Sequence, residues 1–271
     1  MPELHVPDMR NGYVDVVEWV RREGKPVAPR GMETLEITNA MIHVADPYDC
    51  LPVGIGRKNY SRRFAACEAA QLIGGVSDVK LTLRINPNME QFLDDGKFHG
   101  AYGPRARYAL RNAVRKLQID PDTRQAVVPI FQEDDVKFTW RDVPCTLNLH
   151  LSIRDGRLHL TTHMRSNDVW WGLGYDAFQF TQLQLTVANV INVPVGTYTH
   201  VADSLHLYER DFEAVRRLYK TRDPSIEAVY PRGFYGDDIN EAQLTARRII
   251  ANSLRDEPNA SETWYLQRLH G

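Results

Sequence analysis

CTLNLHLSIRDGRLHL, from Cys145 to Leu160, is the stretch from which the rest of the chain can be read. Leu147, Leu149, Leu151 and Ile153 alternate with polar residues, Asp155 and Gly156 supply a two-residue turn, and Leu158 and Leu160 resume the alternation. This pattern predicts a β-hairpin with one buried face. It also sets Cys145 at the head of the first strand, directly after Pro144, and Arg165 just beyond the second.

Working outward, MRSNDVWWGLGYD (Met164–Asp176) leaves the hairpin and leads into AFQFTQLQLTVANVI (177–191), apolar on nearly every side and so read as a buried helix. GTYTHVADSLHLY (196–208) follows Pro194 as a strand. Upstream, Val14–Arg22 has helical spacing, and GMETLEITNAMIHVAD (31–46) shifts to strand alternation. SRRFAACEAAQLIGG (61–75) predicts a helix ending at Gly74-Gly75, and ARYALRNAVRKL (106–117) an amphipathic helix with a solvated basic face. INPNMEQFLDDGKFHGAYGP (85–104), rich in turn formers and aromatics, reads as a loop excursion of the kind that lines sites. After Pro224 the chain is polar and loop-rich, with a late helix around Glu241–Leu254.

At 271 residues, 43% hydrophobic and 25% charged, the composition suits a single domain, 1–271, with a substantial core. A formal charge of −2 gives no general attraction to nucleic acid or an anionic membrane, so an anion must be held by locally gathered arginines. No run approaches the ~18 apolar residues of a membrane span, and the first residues lack a secretory pattern, so the expected location is the cytoplasm. Cys50, Cys67 and Cys145 are odd in number and lack CxxC spacing, against a disulfide framework or a zinc site; a free thiol and no metal are expected.

Cys145 on its own reads either as a small buried hydrophobe or as a nucleophile, and the second needs nearby positive charge, which Arg165 could supply. Asp176 reads either as a polar residue at a helix start or as a group that recognises a ligand. Trp170 and Trp171 are expected to be core or interface aromatics.

PCTLNLHLSIRDGRL, MRSNDVWWGLGYD and SLHLYERD, in this order and at these separations, resemble the thymidylate synthase superfamily, loosely from about Arg30 to Tyr208. Within it the wording is most similar to the cytidylate (CMP or dCMP) 5-hydroxymethylases. The resemblance implies an α/β (α+β) fold: a large, mainly antiparallel, twisted sheet with helices on one side and a partner's sheet against the other, hence a homodimer with shared active sites. It implies a pyrimidine nucleoside monophosphate substrate and 5,10-methylenetetrahydrofolate as cosubstrate.

Carried over by motif, Cys145 is the nucleophile, Glu68 the catalytic glutamate and Tyr102 an active-site tyrosine. Arg165 and Ser166 bind the phosphate, with Arg165 biasing Cys145 toward thiolate; Asp168 holds the pyrimidine or folate end; His206 and Tyr208 meet the sugar. Arg124 reaches the neighbouring subunit's phosphate, and Arg30 is a further phosphate ligand. Asp176 stands where thymidylate synthases have Asn, and an acid can accept from the exocyclic amino group of cytosine. Two departures matter: Gln125 replaces a second arginine beside Arg124, and RINPNMEQF lacks the family's tryptophan that serves reduction to a methyl group. The alternatives are methylation of a uridylate and a catalytically silent nucleotide-binding subunit.

Overall fold

The computed structural model describes residues 1–55, 57, 60–137, 139–218 and 232–253. A short strand β1 (Glu3–Val6) leads to helix α1 (Met9–Glu23), whose N-terminus is capped by Asp8 accepting from the Asn11 N–H at 2.6 Å. Strands β2 (Lys25–Val27) and β3 (Thr34–Val44) follow, then helix α2 (Arg62–Gly74), capped by Ser61 and stopped by Gly75 in the left-handed region. The predicted loop excursion contains a single 3-10 helix, Pro87–Phe92, after the short helix α3 (Val79–Ile85). Helix α4 (Tyr102–Ile119) starts earlier than its alternation suggested, so Tyr102 belongs to a helix start and not to the loop. Beyond it come β4 (Val127–Pro129), α5 (Asp134–Lys137), β5 (Thr146–Arg154), β6 (Arg157–Met164), β7 (Asn167–Asp168), α6 (Leu173–Ile191), β8 (Val195–Tyr208), α7 (Phe212–Val215) and α8 (Ile239–Ser253). The expected end of the last helix at Leu254, and most of the polar stretch after Pro224, lie outside the described residues.

The hairpin forms as its alternation required: β5 pairs with β6 around Asp155 and Gly156, whose φ of 50° and 67° are the two positive values a tight hairpin turn demands. One sheet takes in all the strands, in the order β1-β3-β8-β6-β5-β4, with β2 beside β3 and β7 beside β8. The sheet is more mixed than expected. Pairings β3 to β8, β5 to β6, β4 to β5 and β2 to β3 are antiparallel, whereas β8 runs parallel to both β6 and β7, and β1 parallel to β3. The cause is α6, a crossover that returns the chain beside β6 in the same direction.

Helix α6 is buried along almost its whole length, as its apolar run predicted. It packs on β6 and β8 from one side and on α2 from another. Its glutamines are not misplaced. Gln184 donates to the carbonyls of Leu158 and Thr197, bridging the two parallel strands, and Gln182 accepts from the Gly233 N–H. Both side chains thus meet backbone groups that have a spare partner, while Gln184 Oε1 has no hydrogen-bond partner among the described residues. On the other face of the sheet, Thr199, Val201 and Asp203 alternate with buried residues of β8 and remain partly exposed. Among the described residues no helix is long and apolar enough to cross a membrane.

The basic face of α4 is not simply solvated. Arg105 holds Asp135 of α5 with two bonds of 2.5 and 2.7 Å and also donates to the carbonyls of His99 and Ile130, while Arg111 donates to Gln243 of α8. Arg105 and Asp135 are both nearly inaccessible, so removing one partner leaves a charge without compensation. Asp135→Ala should lower stability by roughly 3–5 kcal/mol, read as a fall in the urea midpoint. A loss below about 1 kcal/mol, the worth of an exposed pair, would show that the contact is effectively solvated.

Candidate active site

Twenty positions separate Cys145 from Arg165, yet the hairpin closes that gap, because they stand at its open end. The Arg165 backbone N–H donates to the Cys145 carbonyl at 2.8 Å. Its guanidinium folds back over the approach to the cysteine, donating to the carbonyls of Pro144 (2.9 Å) and Val143 (3.0 Å) and lying 3.7 Å from Sγ. Arg165 lowers the thiol pKa, but burial outweighs it, and Asp176 and Asp142 push the same way as burial. The expected bias toward thiolate from Arg165 is present, but desolvation is the larger effect and leaves the thiol pKa raised.

A cavity of about 210 Å³ opens beside this thiol and brings together Glu68, Tyr102, Cys145 and Asp176. That exceeds the ~150 Å³ known to admit a benzene ring. Part of its wall is apolar, from Phe64, Leu72, Val76, Met89 and Phe98, with the last two drawn from the loop excursion. Tyr102 opens α4 and stacks in parallel with Phe180 of α6, ring centres 6.0 Å apart; burial raises its phenol pKa well above the usual value.

Asp176 lies in the first turn of α6. Oδ2 accepts from Asn167 Nδ2 at 2.7 Å and Oδ1 from Gln179 Nε2 at 3.1 Å. These donors favour the ionised acid, yet burial prevails and pushes its pKa up to about 7. The glycine at 172 is needed for this packing: a Cβ there would fall 2.9 Å from Asn167 Nδ2 and 3.1 Å from Asp176 Oδ2. Glu68, on α2, is pushed well above the carboxylate range by burial and then by the charge of Asp176. Its Oε2 is buried with no hydrogen-bond partner among the described residues.

Asp168 and His206 are neighbours in register on β7 and β8. Asp168 Oδ1 accepts from the backbone N–H groups of Trp170 (2.7 Å) and Trp171 (3.2 Å), so in the free protein it caps a turn; burial raises its pKa and His206 opposes that. Tyr208 meets the His206 ring edge to face. Ser166 is half-buried between β6 and β7. Arg30 and Arg124 are exposed outside the cavity, Arg30 in a left-handed conformation (φ 54°) and Arg124 between α4 and β4. Trp170 is a core aromatic, as expected. It forms one wall of a cage, with Tyr13, Tyr60 and Tyr175, around the buried Arg57, which also donates to the Trp170 carbonyl. Trp171 is partly exposed and donates to Asp211.

Sequence reasoning missed Asn167, Gln179, Asp142 and Arg57. Gln179 had a legible signal, three residues beyond Asp176 and so on the same helix face. Asn167 sits inside the Arg-Ser-Asn-Asp run, where its neighbours carry the family motif and its own amide has no separate signal. Asp142 and Arg57 reach their places through tertiary contacts that no local pattern announces.

The burial of Asp176 has a cost in stability. Between its ordinary pKa of 3.8 and its folded value of about 7, the folded chain keeps a proton that the unfolded chain releases. Stability from this group therefore falls as pH rises through that window and is not regained above it. Asp176→Asn removes the ionisation, and a flipped Asn167 can offer its Oδ1, now a buried acceptor without a donor, to the new amide. The variant should be more stable than the parent at about pH 8 by roughly 2–4 kcal/mol, with the gap closing toward pH 4. A gap independent of pH in urea unfolding would show that Asp176 does not titrate in this way.

The family model described as Thymidylate synthase matches residues 11–230. A deoxyuridylate hydroxymethyltransferase of Bacillus phage SP01 is 37% identical over 240 residues, which cover 80% of this chain and 62% of that protein. Another, from Pseudomonas phage M6, is 35% identical over 164 residues, 57% of this chain and 47% of that one. A thymidylate synthase of Symbiobacterium thermophilum is 32% identical over 116 residues, 41% of this chain and 40% of that one. The chain thus spans about half to three-fifths of the length of the phage proteins it matches. With a thiol at the open end of a hairpin, buried acids around it and a match over most of its length, the chain belongs to the thymidylate synthase family, a family of one-carbon transferases.

Proposed function

We propose that this protein transfers a hydroxymethyl group to carbon 5 of a cytidine 5'-monophosphate, CMP or dCMP, through a covalent adduct on Cys145. The observation that carries the reading is Asp176, a buried acid with a pKa of about 7 on the wall of the cavity that holds the thiol. Near neutral pH its carboxyl presents both an O–H and a C=O. The first fits the cytosine ring nitrogen and the second its exocyclic amino group.

Carbon 5 of a pyrimidine is a poor nucleophile, and addition of sulfur to carbon 6 makes it an enamine carbon. As the Cys145 thiol gives its proton to water and its sulfur bonds to carbon 6, electron density moves to the ring nitrogen, which takes the Asp176 proton; Asn167 and Gln179 then stabilise the carboxylate left behind. Cytosine's ring nitrogen is far more basic than uracil's carbonyl oxygen, so this proton transfer favours cytosine. In this family 5,10-methylenetetrahydrofolate supplies the one-carbon unit. The apolar wall from Phe64 to Phe98 suits a flat heteroaromatic ring, and Glu68, whose Oε2 is unpartnered, assists with ordered water in removing the proton from carbon 5. Arg165 and Ser166, with Arg30, hold the phosphate; His206 and Tyr208 hold the sugar, and Asp168 the far end of the site. Lack of the family's tryptophan in the loop excursion favours water over hydride at the last step.

A second reading, hydroxymethylation of deoxyuridylate, is favoured by the names of the two phage relatives. The same neutral carboxyl can exchange roles, accepting from uracil's ring N–H and donating to its oxygen. CMP, dCMP, UMP and dUMP offered separately with methylenetetrahydrofolate decide between them by product mass. A hydroxymethylcytidylate is expected; dihydrofolate and a methyl product would mark the synthase reaction, and no product with any of the four a silent subunit. Asp176→Asn should lower kcat/KM for the cytidylate relative to the uridylate by on the order of a hundredfold. An unchanged ratio would remove Asp176 as the base-reading group.

The partly exposed face of β8 and the exposed Arg124 support a homodimer in which each site borrows an arginine from its partner. Cys145→Ala and Arg124→Ala should each be inactive or nearly so, and mixing them should restore up to about a quarter of parental activity through hybrid dimers with one intact site. Subunit exchange without recovery would mean that each site is built from one chain.

A further inference from the structure

The cavity holds a third carboxyl that the steps above do not use. Asp142 lies three residues before Cys145 in the segment leading to β5, and it lines the same cavity. Its Oδ2 accepts from the Gly100 N–H at 2.8 Å, and Oδ1 has no hydrogen-bond partner among the described residues. The approach is close enough to demand glycine: a Cβ at Gly100 would lie 2.7 Å from Asp142 Oδ1 and from its carbonyl oxygen. Neighbouring contacts fix the segment, with Arg141 N–H donating to Asp94 and Trp140 stacked on His99 at 4.3 Å.

Asp142 also stands apart from the other acids. Glu68 and Asp176 belong to helices on one side, and neither is perturbed by Asp142, whereas Cys145 feels both Asp176 and Asp142. All three acids line the one cavity that holds the thiol. Burial raises the Asp142 pKa, and the Gly100 N–H, Arg105 and His99 oppose that.

We propose that Asp142 activates the water that adds to the one-carbon unit, and so decides that the product carries a hydroxymethyl group. This rests on the hydroxymethyl transfer proposed above. After the folate has left, the pyrimidine bears an exocyclic methylene on carbon 5 while Cys145 remains on carbon 6. Asp142 Oδ1 accepts the water hydrogen bond and takes its proton as the oxygen bonds to the methylene carbon. The methylene π pair moves between carbons 5 and 6 and expels the Cys145 sulfur as thiolate, which afterwards recovers the proton from Asp142. Glu68 is by then engaged with the carbon-5 proton and Asp176 with the ring nitrogen.

The test separates early steps from late ones. In a single turnover with nucleotide tritiated at carbon 5, Asp142→Asn should release tritium within about threefold of the parental rate, while hydroxymethyl product falls on the order of a hundredfold. Added 2-mercaptoethanol, whose thiolate needs no general base, should restore turnover and yield the thioether at the methylene carbon. Asp142→Ser, which keeps an acceptor for the Gly100 N–H, should show the same split and decides the matter if the first variant does not fold. A parallel loss of tritium release and product in the soluble variant, or parental product formation, overturns the assignment of Asp142 alone. Methyl product and dihydrofolate from the parent protein would overturn it together with hydroxymethyl transfer.

Discussion

The architecture depends on keeping α6 dry. A helix buried along almost all of its 19 residues has to be enclosed by sheet and helices, and it has to find partners inside the protein for the polar side chains it carries. Gln184 does this by bridging β6 and β8, and Gln182 by holding the Gly233 segment. At the helix's N-terminal end the same enclosure catches Asp176. The core and the cavity are thus one problem in desolvation, solved apolar at one end and left chemically tense at the other.

That tension gives the site its character. Glu68, Asp142 and Asp176 are all raised by burial, and so is the Cys145 thiol. A solvated cluster of this composition would hold ionised acids and form hydrogen bonds with water. Here burial moves every one of them upward, and Asp176 to about 7, in the direction that acid and base catalysis near neutral pH requires. The counter-forces are specific: two side-chain amides at Asp176, a backbone N–H with Arg105 and His99 at Asp142, and a guanidinium at Cys145.

Much of this was legible in the sequence because it is local. The hairpin is written in the alternation of Leu147 to Leu160 with an Asp-Gly turn, and α6 in its unbroken apolar run. Four of the site residues, Cys145, Glu68, Tyr102 and Asp176, were recognisable from ordered motifs and share one cavity. What could not be read was the balance of opposing effects. Arg165 does approach the thiol, yet burial outweighs it; the arginines of α4 form an amphipathic face, yet Arg105 is spent on a buried acid. The parallel pairing of β6 and β8 was equally hidden, since it follows from where α6 returns the chain.

The raised thiol pKa of Cys145 has a protective side. Alkylating agents and peroxides attack thiolate, so a cysteine kept protonated by its surroundings resists chance damage while the site waits for substrate. In the reaction proposed above, reactivity is released at the ring being attacked, when density driven toward Asp176 makes sulfur addition favourable. The resting cysteine should therefore be a poor target for general electrophiles, and inhibitors that imitate a polarised pyrimidine should find it where simple thiol reagents do not.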